Sequence, residues 1–193
     1  MPDVAPADFL HIDWSRLPPP VDDGAARHLP DWRLPDIALP ATNGEVVRLA
    51  GLAGRSVVYT YPLTGRPGTP LPECWDDIPG ARGCTPQSCA FRDHHADLLA
   101  AGAGRVFGLS TQDTAYQREA AERLHLPFPL LSDAALRLTT ALQLPAMLVG
   151  RATFLRRMTL IITDGVITHV FYPVFPPDRN APEVLAWLRA HPA

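Results

Sequence analysis

The sequence predicts an α/β protein, a mixed central sheet flanked by helices, carrying an N-terminal extension and an inserted loop. Three observations carry this. Short β-branched runs alternate with helical stretches, as in parallel strands joined by crossovers. Two β-rich runs near the C-terminus flank Asp164-Gly165, a hairpin signal that adds antiparallel strands to the sheet. The 22 prolines, about twice ordinary usage, gather in the first forty residues and again in residues 63–83, and so mark what lies outside the alternating pattern.

The elements follow in order. Pro2, Pro6, the Pro18-Pro19-Pro20 run and Pro30 forbid a long helix or central strand, so residues 1–31 read as an arm, with Phe9 and Trp14 as its anchors on the domain. Residues 37–39 and 45–49 form a small hairpin around Thr42-Asn43-Gly44. Residues 56–61, bounded by Gly54 and Pro62, form a buried central strand. Residues 63–83, with Gly65, Pro67, Gly68, Pro70, Pro72, Pro79 and Gly80, make a loop of a length that is usually functional. A helix is expected from 85 to 101, a second buried strand over 106–109, and a helix over 113–124 ending before Pro127. Ser132 or Asp133 caps a further helix through Leu142. The hairpin of 157–163 and 166–172 and a helix over 181–190 complete residues 32–193 as one domain. That order is the thioredoxin-like arrangement.

Composition narrows the function. The chain has 193 residues, of which 47% are hydrophobic and 19% charged, enough for one domain with a sizeable core. A net charge of −3 gives no electrostatic case for nucleic acid or an anionic membrane. No apolar run approaches the roughly 20 residues of a membrane helix, and no signal peptide is evident, so a cytoplasmic location is expected. Three cysteines are too few and too odd in number for a disulfide framework. In a reducing compartment, a cysteine is then chemical more often than structural.

Cys84 has the setting for that chemistry. It follows the Gly-rich loop, and Thr85-Pro86 signals a helix start, a hydroxyl cap followed by a proline whose missing N–H is not needed. A sulfur there meets unpaired N–H groups and the positive end of the helix dipole. Such thiols titrate anywhere from roughly 3.5 to 7.5. Arg82 and Arg92 are further sources of positive charge. Cys89 lies five residues on. Within one helix the two Cα atoms stand roughly 8–9 Å apart, whereas a disulfide needs less than about 7 Å. Either Cys89 is a core residue, or the first turn melts so that the sulfurs meet. Cys74, inside the loop, reads as a bystander. His94-His95 with the cysteines makes a poor zinc site, because adjacent histidines point to different helix faces. No metal and no cofactor are expected.

The segment Gly83-Cys84-Thr85-Pro86-Gln87-Ser88-Cys89-Ala90-Phe91-Arg92-Asp93 resembles the peroxiredoxins of the Q type, the bacterioferritin-comigratory proteins. Tyr61-Pro62, Val106-Phe107-Gly108-Leu109-Ser110 and Leu126-Pro127-Phe128-Pro129-Leu130-Leu131-Ser132-Asp133 resemble the same family, and the likeness runs over about residues 32–187. It implies a thiol peroxidase acting on hydrogen peroxide or organic hydroperoxides. Cys84 would become a sulfenic acid, Cys89 would resolve it as an intramolecular disulfide, and thioredoxin or a similar dithiol would reduce that bond. Arg157 would hold the thiolate and the peroxide, with Arg156 as the competing candidate. The family's Pro-x-x-x-Thr-x-x-Cys motif is broken, since Ala81 stands three residues before Cys84. Pro62 is taken to keep its place and Thr64 to supply the hydroxyl. A monomer or homodimer is expected. The alternatives are a redox-sensing binding protein using the same cysteine pair and a thioredoxin-fold scaffold without peroxidase activity.

Overall fold

A computed structural model describes residues 12–192. Among them, a five-stranded mixed sheet forms the centre, in the order β5-β4-β3-β8-β9. β3 (Arg55–Thr60) is its middle strand, parallel to β4 (Arg105–Ser110) and antiparallel to β8 (Met158–Thr163). β5 (Leu130–Ser132) extends the parallel half and β9 (Val166–Phe171) the antiparallel half. β1 (Leu39–Pro40) and β2 (Val46–Val47) form the expected small hairpin.

Strand alternation splits the interior into two cores. Val58, Phe107, Leu109, Leu160 and Ile162 face one side, under Leu138 and Leu142 of α4 (Arg137–Leu142). Val57, Tyr59, Val106 and Ile161 face the other, under Phe91 of α1 (Cys84–Asp93), Leu98 of α2 (His95–Ala100) and Val184 and Leu188 of α5 (Asn180–Ala190). α3 (Thr114–Arg123) starts at Asp113, whose carboxylate accepts from the Tyr116 N–H as expected of a cap. Gly108 leaves room for Tyr59: a Cβ there would stand 2.8 Å from the Tyr59 hydroxyl and 2.5 Å from Leu130. The ring so admitted stacks on Phe91 at 4.3 Å.

Several expectations are corrected. The helix expected over 85–101 is two helices, broken at His94, where Asp93 and His94 are both weak helix formers. Its cap is Gly83, with φ of +103°, and not the hydroxyl of Thr85. α4 begins at Arg137, later than a cap at Ser132 or Asp133 implies, yet Asp133 still serves it, accepting from the N–H groups of Leu138 and Thr139. β5 falls in the segment that carries family likeness, and the hairpin of β6 (Ala146–Val149) and β7 (Ala152–Leu155) has no counterpart among the elements expected from sequence.

Ala26 and Leu29 of the arm are buried in the first core, so this end of the arm packs on the domain. Trp14 anchors it as expected, lying edge-on to Phe175 and donating from Nε1 to Asp178. Phe9 lies outside the described residues. The long loop has a turn of 3-10 helix at Trp75–Asp77 and a core of its own, where Trp75 packs edge-on against Phe154 with Ala81 beneath. No helix among the described residues is long and apolar enough to cross a membrane.

Candidate active site

Cys84 is the first residue of α1 and is 3% exposed. Gly83 sets that position. A Cβ there would come within 2.7 Å of both Pro177 and Trp14, so the chain passes into the helix where only glycine fits. Pro177 belongs to the apolar stretch after β9, which thus packs beside the site.

Three groups meet the sulfur. Arg157 Nη2 lies 3.3 Å from Cys84 Sγ, the Leu63 N–H donates to Sγ at 3.4 Å, and the Ala81 carbonyl stands 3.7 Å away. Arg157 precedes β8 and is 3% exposed. Its Nη2 also faces the carbonyls of Gly80, Ala81 and Arg82, so the guanidinium gathers the end of the long loop around the sulfur. Of the two candidate arginines, it is Arg157 that reaches the thiol. Arg156 turns outward to Asp23 and the Ala146 carbonyl.

Arg157 is itself held. Its Nη1 donates to Gln87 Oε1, Gln87 Nε2 donates to Asn180 Oδ1 at 2.9 Å, and the Thr159 hydroxyl donates to the same Oδ1 at 2.7 Å. Gln87, Asn180 and Thr159 are fully buried. A guanidinium can only donate, so it fixes the polarity of the whole relay: oxygen toward Arg157 at Gln87, oxygen toward Gln87 at Asn180. No carboxylate is among these partners of Arg157, and Cys84 Sγ is one of them. The sequence reading missed this relay. Its signal was there in part, since Gln87 is three residues after Cys84 and therefore shares its helix face.

The remaining candidates divide. Pro62 is buried two residues past the end of β3. The structure does not bring Thr64 to the thiol: its hydroxyl donates to Gln112 Oε1 at 3.2 Å, while the Thr64 carbonyl accepts from Tyr116. Of the two expected sources of extra charge, Arg82 pairs with Asp76, and Arg92 lies near Cys89 and binds the Leu124 carbonyl. Cys89 is half-buried inside α1, and burial pushes its thiol up, partly offset by Arg92. Both thiols are free within one intact helix. Cys74 is exposed, with φ of +57°.

A narrow cavity of about 10 Å³ opens on Cys84, lined among others by Leu63, Leu71, Trp75 and Thr85. A larger cavity, about 660 Å³, lies between β2, α2 and residues 127–129 and touches neither Cys84 nor Cys89, so volume alone does not locate this chemistry. No three metal-binding side chains converge among the described residues. A nucleophilic sulfur, a guanidinium and a backbone N–H converging at a narrow mouth suit attack on a small electrophile that gains negative charge.

Residues 30–187 match the Redoxin family. Peroxiredoxin Q of rice (Oryza sativa subsp. japonica), a chloroplastic protein, is 34% identical over 158 residues, 81% of this chain. The chain spans 64% of that relative's length. Peroxiredoxin Q of Gentiana triflora is 31% identical over 189 residues, covering 94% of this chain and 79% of the relative. Among solved structures, the peroxidoxin BcpB of Mycobacterium tuberculosis superposes with a TM-score of 0.69 at 29% identity, over 86% of this chain and all of that one. Peroxiredoxin Q of Xanthomonas campestris gives 0.64 at 25% identity, over 82% and 95%.

Proposed function

This chain belongs to the Redoxin family and, within it, to the peroxiredoxin Q proteins, and from that premise we propose that it is a thiol peroxidase with Cys84 as its nucleophile. The observation that supports this most directly is the buried contact between Arg157 Nη2 and Cys84 Sγ at 3.3 Å. In this reading the Cys84 thiolate attacks one oxygen of a hydroperoxide. An S–O bond forms, the O–O bond breaks, sulfur is oxidised to a sulfenic acid, and the other oxygen leaves and takes a proton from water. Arg157 and the Leu63 N–H steady the sulfur and the charge that develops beside it.

Cys89 then attacks the sulfenic sulfur, expelling water and leaving a Cys84–Cys89 disulfide. One intact helix cannot hold that bond, so the first turn of α1 must unwind, breaking the Gln87–Asn180 contact as it does. A dithiol such as thioredoxin would return both thiols by exchange.

Stopped-flow mixing of the reduced protein with hydrogen peroxide tests the proposal. Rapid formation of a sulfenic acid that dimedone traps on Cys84, abolished in Cys84→Ser, is expected. Oxidation no faster than that of a free thiol would overturn it. Cys89→Ser should keep the first oxidation and lose the disulfide and its recycling.

A further inference from the structure

Thr85 follows the nucleophile and is 3% exposed, yet its hydroxyl has no hydrogen-bond partner. A buried O–H left unmade is destabilising, and such groups in native structures call for a reason. It is not a helix cap, because Gly83 holds that position. Thr85 lines the cavity that opens on Cys84, and it is the one hydroxyl-bearing residue among the described residues that does so. Few other side chains of that cavity can donate. Leu63, Leu71 and Trp75 contribute apolar wall, the Leu63 N–H is directed at the sulfur, Arg82 pairs with Asp76, and Pro86 brings no N–H to this end of the helix. Of the neighbouring hydroxyls, that of Thr64 donates to Gln112, and the buried Tyr61 hydroxyl, also without a hydrogen-bond partner, does not line this cavity.

We propose that the Thr85 hydroxyl is a catalytic group of this site, donating a hydrogen bond to the peroxide and to the oxygen that leaves when the O–O bond breaks. The proposal rests on the peroxidase reading above. With hydrogen peroxide, the attacked oxygen keeps its hydrogen and becomes the S–OH. The other oxygen departs as hydroxide, and water supplies the proton that completes it. Thr85 keeps its own proton throughout and lends only the hydrogen bond. The substrate in turn satisfies a hydroxyl that the resting protein leaves unmade. Arg157 and Thr85 then divide the work, the guanidinium on the sulfur and the hydroxyl on the leaving oxygen.

This division makes an unusual demand on one substitution. Thr85→Val keeps the shape and removes the hydroxyl, so the variant should melt at the same temperature as the parent or higher, and yet be oxidised more slowly by hydrogen peroxide, by on the order of a hundredfold. Thr85→Ser should retain most of the rate. Stopped-flow oxidation of the reduced parent, Thr85→Val and Thr85→Ser, with thermal melts of each, reads all of this. A Thr85→Val rate within twofold of the parent overturns the proposal while leaving the peroxidase reading intact. A parent that does not react overturns the peroxidase reading itself. A slow Thr85→Val that also melts well below the parent, together with an equally slow Thr85→Ser, assigns Thr85 to the structure and overturns the proposal as well.

Discussion

Arg157 and Cys84 stand 73 residues apart in the chain and 3.3 Å apart in the fold, with the guanidinium nitrogen on the sulfur. The same nitrogen faces three successive carbonyls at the end of the long loop, so one side chain both serves the thiol and shapes the loop that encloses it. Arg157→Lys keeps the charge but loses the fork. We expect sulfenic acid formation to slow by on the order of a hundredfold or more. Limited proteolysis should also show residues 63–83 cut faster than in the parent. An unchanged rate in stopped-flow would refute this account of Arg157.

Cys89 is half-buried and its thiol is pushed up by burial, whereas Cys74 is exposed. The thiolate is the reactive form, so iodoacetamide at neutral pH should label Cys74 first and Cys89 by about tenfold more slowly. Raising the pH through and beyond the ordinary thiol range should narrow the gap. Peptide mass mapping over time reads the order, and faster labelling of Cys89 at pH 7 would contradict it.

Gly83→Ala places a Cβ 2.7 Å from Pro177 and Trp14 at a φ of +103°. The backbone conformation alone costs about 1 kcal/mol, and the two rigid rings add to it. A lower denaturant midpoint and slower peroxide turnover are both expected, because the first turn of α1 carries Cys84. Retained stability would mean that the arm gives way at no cost.

Leu29 is fully buried in the first core. Leu29→Ala should lose about 2–5 kcal/mol in urea unfolding, and a chain lacking residues 1–31 should unfold at still lower denaturant. Wild-type stability in the truncated chain would mean that the arm adds nothing to the domain.

Burial holds the His169 imidazole below its ordinary range, the charge of His191 pushes the same way, and burial also lowers His95. A base that binds its proton less readily when folded contributes stability that is full above its unfolded pKa, about 6.5. That contribution is lost as the pH falls below it. Melting temperature should therefore decline on acidification from about pH 6.5 to 5, and the double variant His95→Gln, His169→Gln should decline less steeply. Parallel curves would remove these histidines from the explanation.

The central strands, the C-terminal hairpin and the cysteine segment were legible because each carries its own local signal: β-branched runs, Asp164-Gly165, and a helix start after a Gly-rich loop. Arg157 was legible only through family likeness, since nothing local distinguishes it from Arg156. What escaped depends on distant partners. Gln87 and Asn180 are ordinary polar residues until the fold places α5 beside α1. Neither Thr64 nor Thr85 takes its expected part, the first turning to Gln112 and the second leaving the cap to Gly83. β6 and β7 have no strict alternation to announce them, and they pair around Gly150, whose φ of +61° is the turn's real signature.

That unannounced hairpin is the seat on which the long loop rests. Trp75 lies edge-on to Phe154 at 5.2 Å, with Met147 and Val149 packed against the same cluster, so the segment ahead of Cys84 rests on side chains from beyond residue 145. Excising the segment would strand Phe154 in water, and transplanting it alone into a shorter relative would leave Trp75 without a seat. Loop and hairpin are two halves of one joint, and an engineer wishing to move either must carry both.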